Sequence, residues 1–285
     1  MKFIRSLINS NIYISLAAVM LTVSAQIQLG MRPQWHPYLF IIFFATLFEY
    51  NIHRLVTVLT NKEALNSEKH HWVRENLKKF YLLVFISMAG SAVVVFLTKI
   101  EILIALAPFA VLTLFYSIPV LGDKKQIFRL REIPYLKIFM IAFVWSSTTI
   151  ILPIIQSSEV FNSVHVGTML AERFFFIFAI TIPFDIRDLE ADQHSGLKTI
   201  PLLIHEKKAM TLSYLLLLIF FLISFVHYQM LGEWLIILAL GISAITTYFF
   251  LVSGKIKKWP LYHYGILDGT MLFQGVLVYL FYFFR

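Results

Sequence analysis

The residues best suited to chemistry lie in one short stretch of the sequence, residues 183–201. Asp185, Asp188 and Asp192 are spaced i, i+3 and i+7, so a helix would carry all three carboxylates on one face. Like charges at this spacing repel by about 0.2–0.5 kcal/mol per pair, and a nearby membrane strengthens the repulsion. A cation among the carboxylates relieves it, and Mg²⁺ is suited because it binds carboxylates and substrate phosphates together. The alternative interpretation is a solvated acidic loop.

The composition indicates a membrane protein. Of 285 residues, 59% are hydrophobic and only 14% charged, compared with about 25% charged in soluble domains. Apolar runs near twenty residues recur along the chain, and no polar linker divides it, so we expect a single domain over residues 1–285. The absence of cysteine excludes disulfides and thiolate metal sites. The net charge of +8 does not indicate a nucleic-acid partner, because the basic residues lie in short loops between apolar runs.

The hydropathy pattern predicts an all-α polytopic protein with nine transmembrane helices. The expected spans are Asn9–Leu29, Tyr38–Thr60, Phe80–Leu97, Ile102–Pro119, Ile133–Ile155, Gly167–Phe184, Lys208–Met230, Trp234–Val252 and Tyr262–Phe284. The first begins like a secretory signal, with Lys2 and Arg5 before an apolar run. That run is long for a signal, so we interpret it as a retained helix.

The loops alternate in charge, which predicts the orientation. Basic residues concentrate before the first span and after the even-numbered spans, whereas the other side has only Arg32, Lys99 and Arg285. Positive-inside bias therefore places the amino terminus and the aspartate stretch in the cytoplasm, and the carboxyl terminus outside. We expect an integral protein of a bacterial inner or plasma membrane.

Two segments of the sequence together form a recognisable pattern. The first is residues 185–192, D-I-R-D-L-E-A-D, with residues 196–201, G-L-K-T-I-P, and the second is residues 116–119, Y-S-I-P, with residues 133–137, I-P-Y-L-K. They resemble the second aspartate motif and the central segment, respectively, of the UbiA superfamily of intramembrane prenyltransferases. The resemblance covers most of the chain.

The resemblance implies a nine-helix UbiA-like bundle with a cytoplasmic active site. Family members bind an isoprenoid diphosphate through Mg²⁺ held by two aspartate motifs. They transfer the prenyl group to an aromatic or quinone-precursor acceptor, or to another lipid nucleophile. By this resemblance, Asp188 and Asp192 would hold the metal with help from Asp185.

The first of the two aspartate motifs is degenerate in this chain. The family pattern begins with Asn and continues with Asp at four-residue intervals, but here Asn51 is followed by Leu55 and Leu59. Span two and the loop after it contain no aspartate. Only one metal-binding arm is therefore evident.

A polar cluster remains on span two, and ionisable groups within a span indicate function by default. We expect Asn51 on Mg²⁺ or its water, Arg54 on the diphosphate through its planar fork, and Glu49 as a substitute metal ligand. The alternative is a Glu49–His53 pair at the interface, with Arg54 extending towards lipid headgroups.

Further candidates come from the loop after span four and from the aromatic residues. Lys124, Arg129 and Lys198 are our expected diphosphate contacts, chosen for proximity to the motifs, although such basic runs usually serve only the positive-inside bias. Tyr116 and Trp145 are expected to line a prenyl tunnel, because aromatic faces stabilise cations without reacting with them. The alternative for these aromatic residues is ordinary helix packing.

The leading prediction is a Mg²⁺-dependent prenyltransferase acting on an isoprenoid diphosphate and a lipid or aromatic acceptor. A second hypothesis, motivated by the missing aspartates, is a family member that binds isoprenoids or supports a partner without catalysis. A third is a secondary transporter with a charge pathway of Glu49, Arg54, Glu172 and Asp268. The chain lacks matching helix breaks in two halves, which disfavours the transporter.

Overall fold

The computed structural model describes residues 2–60, 68–117, 121–123, 126–128, 133, 135–194 and 196–284. The helices, numbered in chain order, are α1 Lys2–Asn9, α2 Ile12–Gln28, α3 Pro37–Thr60, α4 Glu68–Glu75, α5 Leu77–Val95, α6 Ile100–Ser117, α7 Leu136–Ser157, α8 Ser163–Arg187, α9 Leu189–His194, α10 Ile200–Ile204, α11 Glu206–Met230, α12 Trp234–Val252, α13 Gly254–Lys257 and α14 Asp268–Tyr282. A π-helical turn, Tyr262–Leu267, leads directly into α14.

The fold is helical as predicted, apart from one short hairpin. Strands β1 Leu121–Asp123 and β2 Gln126–Phe128 pair antiparallel, with Gly122 opposite Ile127. The hairpin lies between α6 and α7, where the sequence predicted only a basic loop. Each strand has three residues, so the hairpin adds a small irregular feature to a helical bundle.

The predicted number of nine spans is not confirmed. Six helices in the described part of the chain are long and apolar enough to cross a membrane: α3, α5, α7, α11, α12 and the π-turn continued by α14. The pair α1–α2 would make a seventh if its two parts, bent by 75°, form one span. Helix α6 is apolar but shorter, and α8 carries the buried charged pair Glu172 and Arg173.

The packing order of the helices forms a ring. Helix α2 packs on α7, α7 on α8, α8 on α11, α11 on α12, α12 on α14, and α14 returns to α2. Helix α3 packs outside the ring on α2, with α5 on α3, while α6 contacts α7 and α3. The interior consists mainly of aliphatic and aromatic side chains, which pack the helices against one another.

The sharp bend between α1 and α2 is held by one amide from α3. Asn11 adopts a left-handed backbone conformation at the bend (φ 64°), which asparagine tolerates better than most residues. Asn51 accepts a hydrogen bond from Asn11 Nδ2 at 3.0 Å and donates to the backbone oxygens of Ser10 at 3.1 Å and Leu47 at 2.8 Å. The fully buried Asn51 therefore joins α3 to the entrance of α2.

Helices α2 and α14 approach so closely that a side chain cannot fit between them at one position. A Cβ added to Gly275 would lie 2.6 Å from the backbone C and O atoms of Met20, which cannot move like a side chain. Small residues at such crossings let helix backbones pack together in membranes.

We therefore expect Gly275→Ala to destabilise the bundle, even though alanine is intrinsically favoured over glycine in helices by about 1 kcal/mol. The measurement is the midpoint of thermal unfolding in detergent. Gly167→Ala on α8 is the matched control, because nothing lies within 4 Å of a Cβ added there, and it should leave the midpoint unchanged or raise it. Equal midpoints for the two variants would contradict the close contact.

Candidate functional site

Three carboxylates from the end of α8 and from α9 surround one ammonium group from α7. Lys137 Nζ lies 2.8 Å from Asp185 Oδ1, 3.3 Å from Asp192 Oδ2 and 3.9 Å from Asp188 Oδ2. Asp185 is only 1% exposed, so its charge needs a close partner. The structure thus brings together all three predicted aspartates, and a side chain of the protein supplies a cation among them.

The three aspartates do not lie on one continuous helix, although their spacing predicted one. Helix α8 ends at Arg187, Asp188 is its C-terminal cap, and Asp192 lies on α9. The backbone N–H of Asp192 still donates to the Asp188 oxygen at 2.8 Å, which keeps a helix-like turn across the break. The carboxylates therefore converge on Lys137 although the regular helix is interrupted.

Arg187 and Asp188 form a forked ion pair at this break. Nε of Arg187 lies 2.7 Å from Oδ1 of Asp188, and Nη2 lies 2.9 Å from Oδ2, the bidentate geometry of a strong charge-assisted pair. Burial would raise the pKa of Asp188, but the Arg187 hydrogen bonds and charge, with Lys137, outweigh burial and hold the pKa below its usual value. The stability that this carboxylate contributes is therefore present at neutral pH and lost as the pH falls through the lowered pKa.

Two guanidinium groups from different helices contact the ring of Tyr264 in the π-helical turn. Arg187 Cζ lies 4.7 Å from the ring centroid and Arg54 Cζ, from α3, lies 5.5 Å from it. Arg187 also lies 5.2 Å from the ring of Phe184 on α8. These are distances typical of cation–π contacts, and they place α3, α8 and the π-helical turn around one basic surface.

Arg54 has more hydrogen-bonding capacity than its described neighbours use. Its side chain is 8% exposed, and among the described residues its hydrogen bond is one contact from Nη1 to the Asn9 oxygen at 3.4 Å. A guanidinium has five N–H donors, so this buried arginine is able to bind an anion. The Asp268 carboxylate, at the start of α14, interacts electrostatically with both Arg54 and Arg187.

The other two residues predicted on span two, Asn51 and Glu49, lie on α3 with Arg54, but their contacts differ from those of Arg54. The polar atoms of Asn51 bind the α1–α2 bend described above, and its predicted role towards a metal stays a prediction. Glu49, one turn before His53, is partly buried and interacts with neighbouring groups of the chain. The predicted metal role of Glu49 likewise stays a prediction.

Of the remaining candidates, the structure describes Tyr116, Trp145 and Lys198. Tyr116 interacts electrostatically with Lys137 and with Tyr50, which places it near the carboxylate cluster. Trp145 lies two turns further along α7 than Lys137 and interacts with Tyr50. The predicted tunnel roles of both residues stay predictions. Lys198 is exposed, and its backbone oxygen accepts a hydrogen bond from Tyr135 N at 3.0 Å. The predictions for Lys124 and Arg129 lie outside the described residues.

The donor atoms of the three carboxylates decide whether the cluster suits a metal ion. Carboxylate oxygens are the ligands that Mg²⁺ prefers, and Asp185 Oδ1, although close to Lys137, lacks a hydrogen bond of good geometry in the described structure. In the described part of the chain, no three Asp, Glu or His side chains are arranged closely enough to hold an ion directly. The donor set therefore fits a hard cation chemically, while its present geometry is set by the Lys137 ammonium.

Sequence reasoning missed the residues that connect the predicted ones. Lys137 is only the last residue of segment 133–137 in the sequence, and Arg187 only one letter of residues 185–192, so neither was predicted as a site residue. In the structure both contact the aspartates directly. Tyr264 carries no local sequence signal, because its place between two arginines depends on the π-helical turn. The signal available for Lys137 was its position at the start of an apolar span, where an unpaired lysine would be costly.

The chain is similar to a known protein family. The model of the UbiA prenyltransferase family matches residues 73–259. No curated protein sequence matches the chain.

Solved structures resemble the chain over nearly its whole length. A UbiA homolog from Archaeoglobus fulgidus bound to GPP and Mg²⁺ has a TM-score of 0.59 at 16% identity, with 94% of this chain and 99% of that chain covered. An apo UbiA homolog from Aeropyrum pernix K1 has a TM-score of 0.62 at 13% identity, with 99% and 98% covered. A digeranylgeranylglyceryl phosphate synthase has a TM-score of 0.53 at 15% identity, with 96% and 97% covered. At these identities the likeness shows a shared fold.

The carboxylate cluster predicts the effect of removing its internal cation. Lys137→Met should lower the free energy of unfolding at neutral pH by about 3 kcal/mol, since one partner of a largely buried ion cluster is lost. The difference from the unmodified protein should shrink on acidification, because protonation removes the repulsion between the carboxylates. Added Mg²⁺ should also raise the unfolding midpoint of the variant more than that of the unmodified protein.

Thermal unfolding in detergent, at several pH values and with Mg²⁺ or EDTA, measures these effects. Lys198→Met removes an exposed lysine from the adjoining loop and serves as the control. A Lys137→Met protein as stable as the control at neutral pH would show that the carboxylates do not depend on this ammonium.

Proposed function

The chain belongs to the UbiA prenyltransferase family, and on that basis we propose that it transfers an isoprenoid group from its diphosphate to an acceptor within the membrane. The observation that carries the proposal is the meeting of two oppositely charged surfaces at one end of the bundle. Asp185, Asp188 and Asp192 form the acidic surface around Lys137, and Arg54 and Arg187 form the basic surface on Tyr264. A metal-bound diphosphate needs both, because it presents a cation and several anionic oxygens together.

The acidic surface is the proposed metal site. Structures of the Archaeoglobus fulgidus homolog contain Mg²⁺ with GPP or with DMAPP. We assign Asp188 and Asp192 as the principal ligands here, with Asp185 assisting, because their carboxylates converge on the Lys137 ammonium at this end of the bundle. Bound Mg²⁺ supplies charge neutralisation to the diphosphate leaving group. Asn51 and Glu49 remain proposed contributors from α3.

The basic surface is the proposed contact for the diphosphate oxygens. Arg54 has free donor capacity in a buried position, so an anion gains more from it than from a solvated arginine. Arg187 holds Asp188 in place and adds positive charge beside it. Lys124, Arg129 and Lys198 are proposed as further contacts from the loops on this side, as the sequence indicated.

The chemistry that this surface supports is cleavage of the allylic C–O bond. The bonding electron pair leaves with the diphosphate, whose charge the arginines stabilise, and an allylic cation is left behind. The aromatic faces of Tyr116, Tyr50 and Trp145 are proposed to shield that cation from water. Tyr116 interacts with Lys137, and Tyr50 interacts with both Tyr116 and Trp145. An electron-rich acceptor then forms the new bond and releases a proton, so no protein nucleophile is required. We propose an aromatic, quinone-precursor or other lipid acceptor.

The proposed location of the site is the cytoplasmic side of the membrane. The six apolar helices indicate an integral membrane protein, and the positive-inside pattern of the loops supports this orientation. Both substrates would then reach the site from the cytoplasmic leaflet or the cytosol.

We expect Asp188→Asn and Asp192→Asn each to reduce pyrophosphate release by about 100-fold or more, because each removes charge that neutralises the leaving group. The assay uses purified protein in proteoliposomes with Mg²⁺, a series of isoprenoid diphosphates, and phenolic and lipid acceptors. Glu190→Gln is the matched control, since it removes an exposed carboxylate from α9 between the two aspartates.

Full activity in both aspartate variants would rule out the mechanism. Tight binding of isoprenoid diphosphates by the unmodified protein, with no turnover on any acceptor, would instead favour a binding protein that retained the fold. The absence of aspartate from span two is the observation that favours this second candidate.

Arg54→Gln should raise KM for the isoprenoid diphosphate and lower kcat, with a combined loss in kcat/KM of about 10- to 100-fold, typical of one charged hydrogen bond. Lysine at this position should restore only part of the loss, because an ammonium lacks the planar fork. Steady-state kinetics across a range of diphosphate concentrations measures both constants. Arg74→Gln on α4, which is exposed, should leave both constants unchanged, and so should Arg54→Gln if the arginine only supports packing.

A further inference from the structure

The short helix α1 carries apolar and polar side chains on opposite faces. Its apolar residues follow one another at helical spacing and share one face: Phe3, Ile4, Leu7 and Ile8. Arg5 and Ser6 lie on the opposite face, and both are exposed. Helices with this division of side chains, and with basic residues on the polar face, lie in the interface between the lipid core and water.

The two ends of α1 have different surroundings. Ile8, in the turn nearest α2, is 5% exposed, whereas Phe3 is 73% and Ile4 is 58% exposed. In the described part of the chain, the bundle therefore covers the last turn of α1, and the first turn projects from it with large apolar side chains uncovered. In a membrane protein, such a turn is covered by lipid if it lies at the right depth.

The bend between α1 and α2 sets the depth and the direction of α1. The two helices differ in direction by 75°. The 17 residues of α2 rise about 26 Å, most of the hydrocarbon core of about 30 Å. With α2 crossing the bilayer, α1 therefore runs nearly along the membrane plane at the level where the core ends. At this level an apolar face meets acyl chains, and a basic face meets lipid headgroups.

The inner end of α1 is bonded to α3, which carries the basic residue of the proposed site. The backbone oxygen of Asn9 accepts the hydrogen bond from Arg54 Nη1 at 3.4 Å. One residue further, the backbone oxygen of Ser10 accepts a hydrogen bond from Asn51 Nδ2 at 3.1 Å. The position of α1 and the orientation of Arg54 are therefore linked by direct contacts.

The same end of α1 also packs on the π-helical turn. A Cβ added to Gly265 would lie 3.1 Å from Ile8 Cδ1, so the two residues are in close contact. Gly265 follows Tyr264, whose ring contacts the Arg54 guanidinium. Helix α1 thus contacts Arg54 itself and the segment that carries the aromatic partner of Arg54.

We propose that α1 binds the anionic lipid surface of the cytoplasmic leaflet, and that this attachment orients Arg54 for the substrate diphosphate. The second part rests on the proposed function, because it takes Arg54 as a diphosphate contact. A lipid surface is the partner that fits, since acyl chains match the uncovered Phe3 and Ile4 while anionic headgroups match Arg5. Basic residues also concentrate in the loops on this side of the chain, which strengthens the attraction.

Attachment to lipid restricts the movement of α1 about its bend. Rotation of α1 away from the membrane would expose Phe3 and Ile4 to water, which the hydrophobic effect opposes. The same rotation would carry the Asn9 oxygen away from Arg54. Among the described residues, this oxygen is the hydrogen-bond acceptor of the Arg54 guanidinium, so its displacement changes the direction of the donors that would meet the diphosphate.

The absence of cysteine from the chain allows a spin label to report the depth of one chosen residue. Ile4→Cys carries the label on the apolar face, and Ser6→Cys, on the opposite face, is the matched control. In phosphatidylglycerol vesicles we expect the label at position 4 to collide more with oxygen than with a water-soluble nickel chelate, and the label at position 6 to show the reverse. Equal access of the chelate to both labels would overturn the lipid contact. Shielding of the position 4 label from both reagents would indicate a protein partner and would overturn it equally.

The link to Arg54 is measured by the binding of geranyl thiolodiphosphate, a hydrolysis-resistant substrate analogue, in the presence of Mg²⁺. Phe3→Ser/Ile4→Ser should weaken this binding by about fivefold in phosphatidylglycerol vesicles, the lower end of the usual coupling between two sites. Arg5→Gln should weaken it in phosphatidylglycerol but not in phosphatidylcholine vesicles, because the partner of Arg5 is an anionic headgroup. The vesicle charge repels the substrate anion from every variant alike, so variants are compared within one lipid composition.

Phe283→Ser/Phe284→Ser is the matched control for the double variant, since it removes two exposed aromatic side chains from the opposite end of the bundle. Its affinity for the analogue should equal that of the unmodified protein. Unchanged affinity in both α1 variants would overturn the link to Arg54. If the double variant does not fold, by thermal unfolding and gel filtration, Arg5→Gln decides the question.

The two measurements separate this inference from the proposed function. Failure of the unmodified protein to bind the analogue would overturn the proposed function. The spin labels would still decide whether α1 lies in the lipid surface, because their accessibility depends on neither substrate nor turnover.

Discussion

Three carboxylates can share one end of a membrane bundle only if positive charge lies among them. In this protein the charge comes from Lys137 on α7, and its contacts with Asp185 and Asp192 hold α7, the end of α8 and α9 together. Arg187 adds a second positive charge on Asp188, so the acidic surface is nearly neutralised by the protein's own side chains. This balance keeps the cluster stable before any substrate arrives, and a metal bringing further charge must come with an anion to restore it.

The wall of the proposed site opposite the carboxylates belongs to α3, and the contacts of two α3 residues determine its charge. Its asparagine, Asn51, binds the bend between α1 and α2, and its arginine, Arg54, contacts the ring of Tyr264. A site with aspartates on both walls requires metal ions to attach a diphosphate to each of them. Here one wall is acidic and the other basic, so the diphosphate can contact α3 directly through a guanidinium. The loss of aspartates from α3 is therefore compatible with binding of an anionic substrate.

Hydropathy predicted where most helices lie, because lipid-facing apolar runs are a strong and local signal. The aspartates were also predictable, since three like charges at helical spacing require an explanation. The helix break at Asp188 was not, because the spacing suits a continuous helix equally well. Lys137 stands out in the sequence by its position at the start of an apolar span, but its partners could not be predicted because they lie on distant helices. Tyr264 depends on a π-helical turn, which leaves no pattern in the local sequence. For Asn51, the residue type was informative, but the polar groups that it binds were set by the bend of α1 against α2.

Helix α8 carries two ion clusters, the aspartates with Lys137 near its end and the buried pair Glu172 and Arg173, and this fixes the distance between them. It is joined to α7 at its end, where Asp185 binds Lys137, and three turns earlier, where Arg173 binds Thr149. Two antiparallel helices tied at two levels cannot slide along each other without breaking buried polar contacts. The two clusters therefore keep a fixed separation along α7 and α8.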